Sequence, residues 1–357
     1  MEKEPKMDLM SLFPEELKDY CLAQGQPAYR AGQIFSFLSK GVSPVEMSSL
    51  PKDFRETLVR ETEYRLPTVA RKQVSAKDGT VKYLFRLTDG NHVESVFMRY
   101  DHGNTLCISS QVGCAMGCAF CASTIGGRVR DLTASEMLGQ VIAAEKDMGE
   151  RVSGVVMMGI GEPLANYDNV IRFLRLVNRK EGLNIGYRHI SLSTCGLVNG
   201  IDRLAEEDLP ITLSVSLHAA TDEERSAIMP INRRYPIDTL LSACVRYFRK
   251  TGRRISFEYT LLSGKNDSEA DALRLARLLK KYFGREPLHV NLIRVNEVKE
   301  TAFRHGTRES AQHFMRTLLK EGVNATVRRR LGTDVDAACG QLRHKEETGK
   351  KQNEDKL

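Results

Sequence analysis

The sequence predicts an α/β protein built on a parallel sheet, with a small all-helical segment ahead of it. Three observations lead there. β-rich runs at Gly154–Met158, His189–Thr194, Ile211–Leu217, Ile255–Leu262, Leu288–Ile293 and Asn324–Arg328 alternate with helical segments. Six strands are too few for a closed eight-stranded barrel, which leaves an open, partial barrel or a flat doubly wound sheet. The most chemically pointed residues fall mostly at the C-terminal ends of these runs, where either fold puts its site.

Residues ~8–62 read as helical. Pro14 can open a first helix at its N1 position and Gly25 can close it. Tyr29 to Leu38 places Ile34, Phe35 and Leu38 on one helical face, and Pro51 can start a helix carrying Phe54, Leu58 and Val59. From Val81 the period changes. Val81–Leu87 and His92–Met98 flank Asp89-Gly90, a hairpin signal, and Asn104–Ser110 is another candidate strand. The clearest helices of the repeat are Thr133–Lys146, Tyr167–Asn178, Ile237–Lys250, Glu269–Tyr282 and Glu309–Lys320. Thr133 with Glu136 makes a capping box for the first, and Ser268 with Asp271 resembles one for the fourth.

The 357 residues are 41% hydrophobic and 28% charged, which excludes a wholly disordered chain or a disulfide miniprotein. The net charge of +7 is a modest basic excess. Met1 to Met10 carries no signal-peptide run, and no apolar stretch approaches ~18 residues, so the expected address is cytoplasmic, with no membrane partner. Residues 344–357 read as a disordered tail. Basic groups recur at Arg71-Lys72, Arg233-Arg234, Arg253-Arg254 and Arg328-Arg329-Arg330, a pattern able to hold phosphates.

Eight cysteines matter most, three of them in GCAMGCAFC, residues 113–121. Cys114, Cys118 and Cys121 are spaced C-x3-C-x2-C. Zinc usually takes four ligands in CxxC pairs, yet there is no second CxxC and the nearest upstream histidine, His102, is twelve residues away. Three thiolates on one loop suit an iron–sulfur cubane with one iron open to an outside ligand. The different-class alternative is a non-catalytic, zinc-containing RNA-binding protein. Gly159, Gly161 and Glu162 follow the apolar run Val155–Met158, where glycines let backbone approach a ligand and a carboxylate can hold an ammonium. Glu94 alternates with Val96 and Met98 on one strand face and can serve as a base. Cys21, Cys195 and Cys244 read as packing residues.

The loop, with Phe120 before its last cysteine, resembles the radical S-adenosylmethionine (SAM) superfamily. MGIGEPLAN (158–166), SLSTCG (191–196), SVSLHAATDEERSAIMPINRRYP (214–236), HVNLIRVN (289–296) and GTDVDAACGQL (332–342) resemble its RNA adenine methyltransferases, the RlmN/Cfr group. The resemblance implies a partial (β/α)6 barrel at 101–343, after a helical RNA-recognition segment at 1–65 and a β-rich extension at 66–100. It implies one [4Fe–4S] cluster on Cys114, Cys118 and Cys121, with SAM chelated at the open iron. Gly161 and Glu162 match the methionine-binding position, and Ser193, Ser216, Leu217, His218 and Asn296 match the rest of the SAM pocket. Cys339 and Cys107 match two catalytic cysteines, and Glu94 a proton acceptor.

Two SAM molecules are then consumed per turnover. One methylates Cys339. The other yields a 5′-deoxyadenosyl radical that abstracts hydrogen from the S-methyl group. The carbon radical adds to adenine, and a transient Cys107–Cys339 disulfide frees the product. The implied partners are 23S rRNA, tRNA and a low-potential donor such as flavodoxin. The motifs look more like the adenine-C2 branch than the C8 branch.

Overall fold

The computed structural model describes residues 6–294 and 306–335. Asn296, Cys339 and the 344–357 segment lie outside the described residues. Near the N-terminus, β1 (Met7–Asp8), α1 (Pro14–Ala23), α2 (Arg30–Ser39), α3 (Lys52–Glu61) and β2 (Thr62–Glu63) form a small unit. The expected helices are present, with Pro14 at a first helical position. Two differences stand out. A short parallel pair, β1 with β2, closes the unit, so it is not purely helical. Val59 is exposed, while Phe54 and Leu58 turn inward. The unit is anchored by Arg172, whose guanidinium donates to both carboxylate oxygens of Glu16 (2.7 and 3.0 Å).

Strands β3 (Thr68–Val74), β4 (Val81–Arg86), β5 (His92–Tyr100) and β6 (Gly103–Cys107) run as an antiparallel meander. A small hairpin, β7 (Gln111–Gly113) with β8 (Arg128–Asp131), brackets the cysteine loop. Then follow α4 (Ala134–Met148), β9 (Val152–Met157), α5 (Tyr167–Val177), β10 (Ile190–Thr194), α6 (Val198–Ala205), β11 (Thr212–Ser216), α7 (Asp222–Ile228) and α8 (Ile237–Thr251). The described chain continues through β12 (Ile255–Leu261), α9 (Glu269–Phe283), β13 (Leu288–Arg294), α10 (Arg308–Lys320) and β14 (Ala325–Val327). Both capping boxes form: Thr133 Oγ1 accepts from Glu136 N at 3.3 Å, and Ser268 Oγ from Asp271 N at 3.2 Å.

Among the described residues ten strands make one sheet, ordered β14-β13-β12-β11-β10-β9-β6-β5-β4-β3. The six strands read after the cysteine loop are all present, and β6, before the loop, pairs with β9 in parallel and starts the series. The order is strictly sequential, with no reversal of the kind a doubly wound sheet requires. Successive helices therefore fall on one side, where α6 meets α8, α8 meets α9 and α9 meets α10. The fold is the open, partial barrel.

Side-chain alternation decides what the barrel contains. Leu192, Leu213, Val215, Phe257 and Leu292 are fully buried in the main apolar core. The alternate residues Ser191, Ser193, Ser214, Ser216, Ser256, Glu258 and Asn291 share the other face, as shown by Ser191 Oγ lying 3.2 Å from Ser214 Oγ. Parallel strands buried on both faces usually read as continuous apolar runs. These alternate because their polar inner face turns toward the barrel interior, where Ser193, Ser216 and Glu258 line a cavity. Leu213→Ala, in a central strand, is expected to cost about 2–5 kcal/mol, against about 1 kcal/mol for Thr133→Ala at the α4 cap. Urea denaturation of both variants checks the ranking, and equal costs would contradict this account of the core.

Candidate active site

The inner face opens into a cavity of about 360 Å3 at the C-terminal ends of the parallel strands. Cys107, Cys114, Cys118, Cys121, Gly161, Glu162, Ser193, Ser216 and His218 all line it. These residues span more than a hundred positions of sequence, and the sheet order brings them together.

The cysteine loop is held at both ends. Cys114 N donates to Gly127 O (3.1 Å), and Ala119 N donates to Ile228 O at the end of α7 (2.9 Å). Gly113 has φ +76°, and a Cβ there would lie 1.9 Å from Gly127 O, so only glycine fits. Burial pushes the Cys114 thiol up to about 11, with nearby Cys121 adding to it. Burial and then the Cys121 and Cys114 charges push Cys118 up to about 12. Among the described residues, no group of three or more His, Cys, Asp and Glu is disposed to grip a single metal ion. The fit to an iron–sulfur cluster rests on donor chemistry. Three mutually repelling thiolates on one loop, Cys114 buried and Cys118 and Cys121 half-buried, become compatible once iron cations neutralise them.

Glu162 is 3% exposed, and burial raises its carboxyl above the usual range. Its Oε2 accepts from Cys195 N (2.7 Å) and its Oε1 from Leu164 N (3.0 Å), fixing the carboxylate at the cavity wall. Gly161 has φ +107°, and a Cβ there would meet Gln111 Cβ at 2.6 Å. Contact with the protein's own chain, as well as cavity access, thus requires that glycine. His218 also has positive φ (59°), and its Nδ1 accepts from Thr260 N (3.0 Å). In the neutral ring this puts the proton on Nε2. Phe120 meets the imidazole edge-on, with centroids 5.0 Å apart.

Other assignments fall differently. The Leu217 side chain is fully buried in the apolar core rather than lining the cavity. Glu94 is not among the lining residues. It is 2% exposed and pairs with fully buried Lys82 (Nζ to Oε2 2.9 Å), so it does not stand alone on an apolar face. Cys195 lines the cavity as well as packing against Ile228 and Met229.

Three contributors escape a sequence reading. Glu258 lines the cavity, with its carboxyl raised by burial and its Oε2 accepting from Asn291 Nδ2 (2.8 Å). Lys82 sits opposite Val96 on β4, across from Glu94's strand. Arg225, on α7, is wholly buried. The only advance signal for Glu258 is its alternation with Ser256 along ISFEYTL.

This barrel, with three cysteines at its strand ends, defines the class of radical SAM proteins. The model of the "Radical SAM superfamily" matches residues 108–276. The chain is 45% identical to a radical SAM methyltransferase from Sphaerobacter thermophilus of known structure, which superposes with a TM-score of 0.88 over 94% of this chain and 98% of that one. It is also 49% identical to a probable dual-specificity RNA methyltransferase RlmN of Alkaliphilus oremlandii, covering 95% of this chain and 98% of that protein. The Clostridium tetani protein of the same description is likewise 49% identical, over 95% of this chain and 96% of that one. The chain belongs to the RlmN family of radical SAM RNA methyltransferases. That membership replaces the non-catalytic zinc reading. Among the described residues no helix is long and apolar enough to cross a membrane.

Burial first, and Arg225 second, hold the His218 imidazole down at about 3 from an ordinary 6.5. In the unfolded chain this imidazole takes up its proton as pH falls through about 6.5, while the folded one does not until about 3. The unfolded state therefore binds more protons across that window, and stability falls as pH falls through it. Denaturant titrations from pH 7 to 4 are expected to show His218→Asn, which keeps an acceptor and tolerates positive φ, losing stability less steeply than wild type. The difference is at most about 1.4 kcal/mol per pH unit. Parallel curves would contradict the neutral assignment.

Proposed function

We propose that this chain methylates C2 of an adenosine in 23S rRNA, and of tRNA, by a cysteine relay. The observation that carries the reading is the placement of Cys107 at the end of β6, on the wall of the same cavity as Cys114, Cys118 and Cys121. Adenine C2 is an electron-poor amidine carbon, so polar methyl transfer from a sulfonium to it is unfavourable. When bound by Cys114, Cys118 and Cys121, a [4Fe–4S] cluster supplies one-electron cleavage of a SAM molecule. Glu162 would hold the methionine ammonium, and Ser193, Ser216 and His218 would line the rest of the SAM pocket, with Asn296 assigned there by its motif alone.

The chain's own work is to carry the methyl group. The Cys339 thiolate displaces the methyl from one SAM, forming an S–CH3 bond as the sulfonium S–C bond breaks. Once a hydrogen atom has been abstracted from the S-methyl group and the carbon has bonded to the adenine, the radical adduct gives up one electron, which would return to the cluster, and one proton, which Glu94, held by Lys82, accepts. The Cys107 thiolate then attacks the Cys339 sulfur, making an S–S bond while the S–C bond to the base breaks; the electron pair stays on the base-bound carbon, which takes up one proton to become the methyl group. The apolar wall of Val96 and Met98 beside Cys107 keeps this exchange away from water. A low-potential donor of the flavodoxin type would provide electrons, and cytoplasm is the matching address.

The RNA reading is supported by charge at the cavity mouth. Arg294, Arg328, Arg329 and Arg330 line both the cavity and an adjoining open depression that also holds Arg308. Guanidinium groups there can hold phosphates flanking a base that has left its stack. The helical unit at residues 1–65 is read as the accessory that selects the RNA.

The test uses methyl-labelled SAM with rRNA fragments and tRNA, followed by mass spectrometry of the nucleosides against C2 and C8 standards. Wild type is expected to give the C2 product, Cys339→Ala none, and Cys107→Ala an accumulating covalent protein–RNA adduct. Adenosine methylation by Cys339→Ala would overturn the relay, and a C8 product would overturn the positional assignment.

A further inference from the structure

The largest fully buried side chain among the described residues belongs to Arg225, which has no exposed surface. Its hydrogen bonds go to neutral acceptors. Nε donates to Leu217 O (3.1 Å), Nη1 to Asn232 Oδ1 (2.9 Å), and Nη2 to Cys195 O (2.7 Å) and Ser216 O (3.1 Å). No carboxylate is among these partners. A buried cation with no carboxylate in direct contact is costly, and burial lowers its proton affinity. Apolar packing alone would fill this space more cheaply.

The location suggests what offsets that cost. Arg225 ties α7 to the ends of β10 and β11, where Cys195 and Ser216 stand. The far end of α7 accepts from the cysteine loop at Ala119, and Met229 packs with Met116, Cys118 and Phe120. The Cys195 peptide links two charges: its N–H meets Glu162 and its C=O meets Arg225. Arg225 also lies within electrostatic range of the Cys195, Cys118 and Cys244 sulfurs and, more weakly, of the Asp222 carboxylate, which it reaches through Asn232. Its rigid fork of donors reaches several carbonyls at fixed angles, which a flexible ammonium cannot reproduce.

We propose that Arg225 is a positioning residue that fastens the cysteine loop to the SAM-side strand ends, and that its buried charge, hydrogen-bonded to no carboxylate, favours the reduced state of a cluster held by Cys118. In that couple one electron enters from a low-potential donor and no bond forms or breaks. An added negative charge beside a buried cation is stabilised. The inference rests on reading Cys114, Cys118 and Cys121 as cluster ligands.

The test compares full-length wild type, Arg225→Lys and Arg225→Gln, each reconstituted anaerobically with iron and sulfide. Cluster absorbance is read at fixed potentials set with redox mediators, and SAM affinity by calorimetry. Arg225→Gln is expected to lower the ratio of reduced to oxidised cluster about tenfold, equivalent to ~59 mV. Arg225→Lys keeps the charge and loses the fork, so its ratio is expected within about threefold of wild type while SAM binds about tenfold more weakly. Iron-loaded Arg225→Gln that poises like wild type overturns the inference alone. Should Arg225→Gln not fold, Arg225→Lys decides: wild-type SAM affinity, or a ratio shifted tenfold, overturns it. A wild-type protein that takes up no iron overturns the cluster reading, and this inference with it.

Discussion

Alternation along the parallel strands is the constraint on which the rest of this molecule depends. In β10, β11 and β12 the inward serines and Glu258 alternate with outward residues that are mostly apolar, among them Leu192, Leu213, Val215, Phe257 and Tyr259. The outward set is fully buried beneath the helices and holds the barrel together. A one-residue slip in register would exchange the two faces, putting apolar side chains in the cavity and hydroxyls in the core. The sequential strand order then wraps the polar face inward. Stability and site are therefore two faces of the same ladder.

Charge burial is the second theme. Glu162, Glu258, Arg225 and the pair Lys82–Glu94 are all buried at or near the inner face. Each is held by hydrogen bonds or a partner: Glu162 by the Leu164 and Cys195 amides, Glu258 by Asn291, and Glu94 by Lys82. Such groups are fixed in place because moving them would leave a charge unsatisfied in a low-dielectric setting. Rigidity of this kind suits a site that must hold one SAM pose and one base. Under the proposed function the RNA is too large to enter the cavity, and a base brought out of its stack is what would reach these groups.

Much of this was legible in the sequence. The 3.6-residue and two-residue periods located the helices and strands, because burial on one face leaves a local pattern. The capping boxes at Thr133 and Ser268 were equally local and appear as expected. Strand β3 was missed because nearly all of TVARKQV is exposed at the sheet edge, which erases the alternation. The parallel β1–β2 pair joins residues more than fifty positions apart, so no local signal marks it. Lys82 drew no reading because its partner, Glu94, lies on the next strand. Arg225 also drew no reading, since mostly backbone carbonyls, which carry no sequence signature, hold it. The cysteine spacing needed no folding information, whereas Leu217's assignment came from a motif whose side chain the fold turns into the core.

The account stands on iron and sulfide at the three-cysteine loop. The most direct measurement is metal and sulfide analysis, with optical and Mössbauer spectra, of the protein purified without oxygen. A brown protein holding about four iron and four sulfide per chain, lost in Cys118→Ala, is the expected result. A colourless protein with stoichiometric zinc would contradict it.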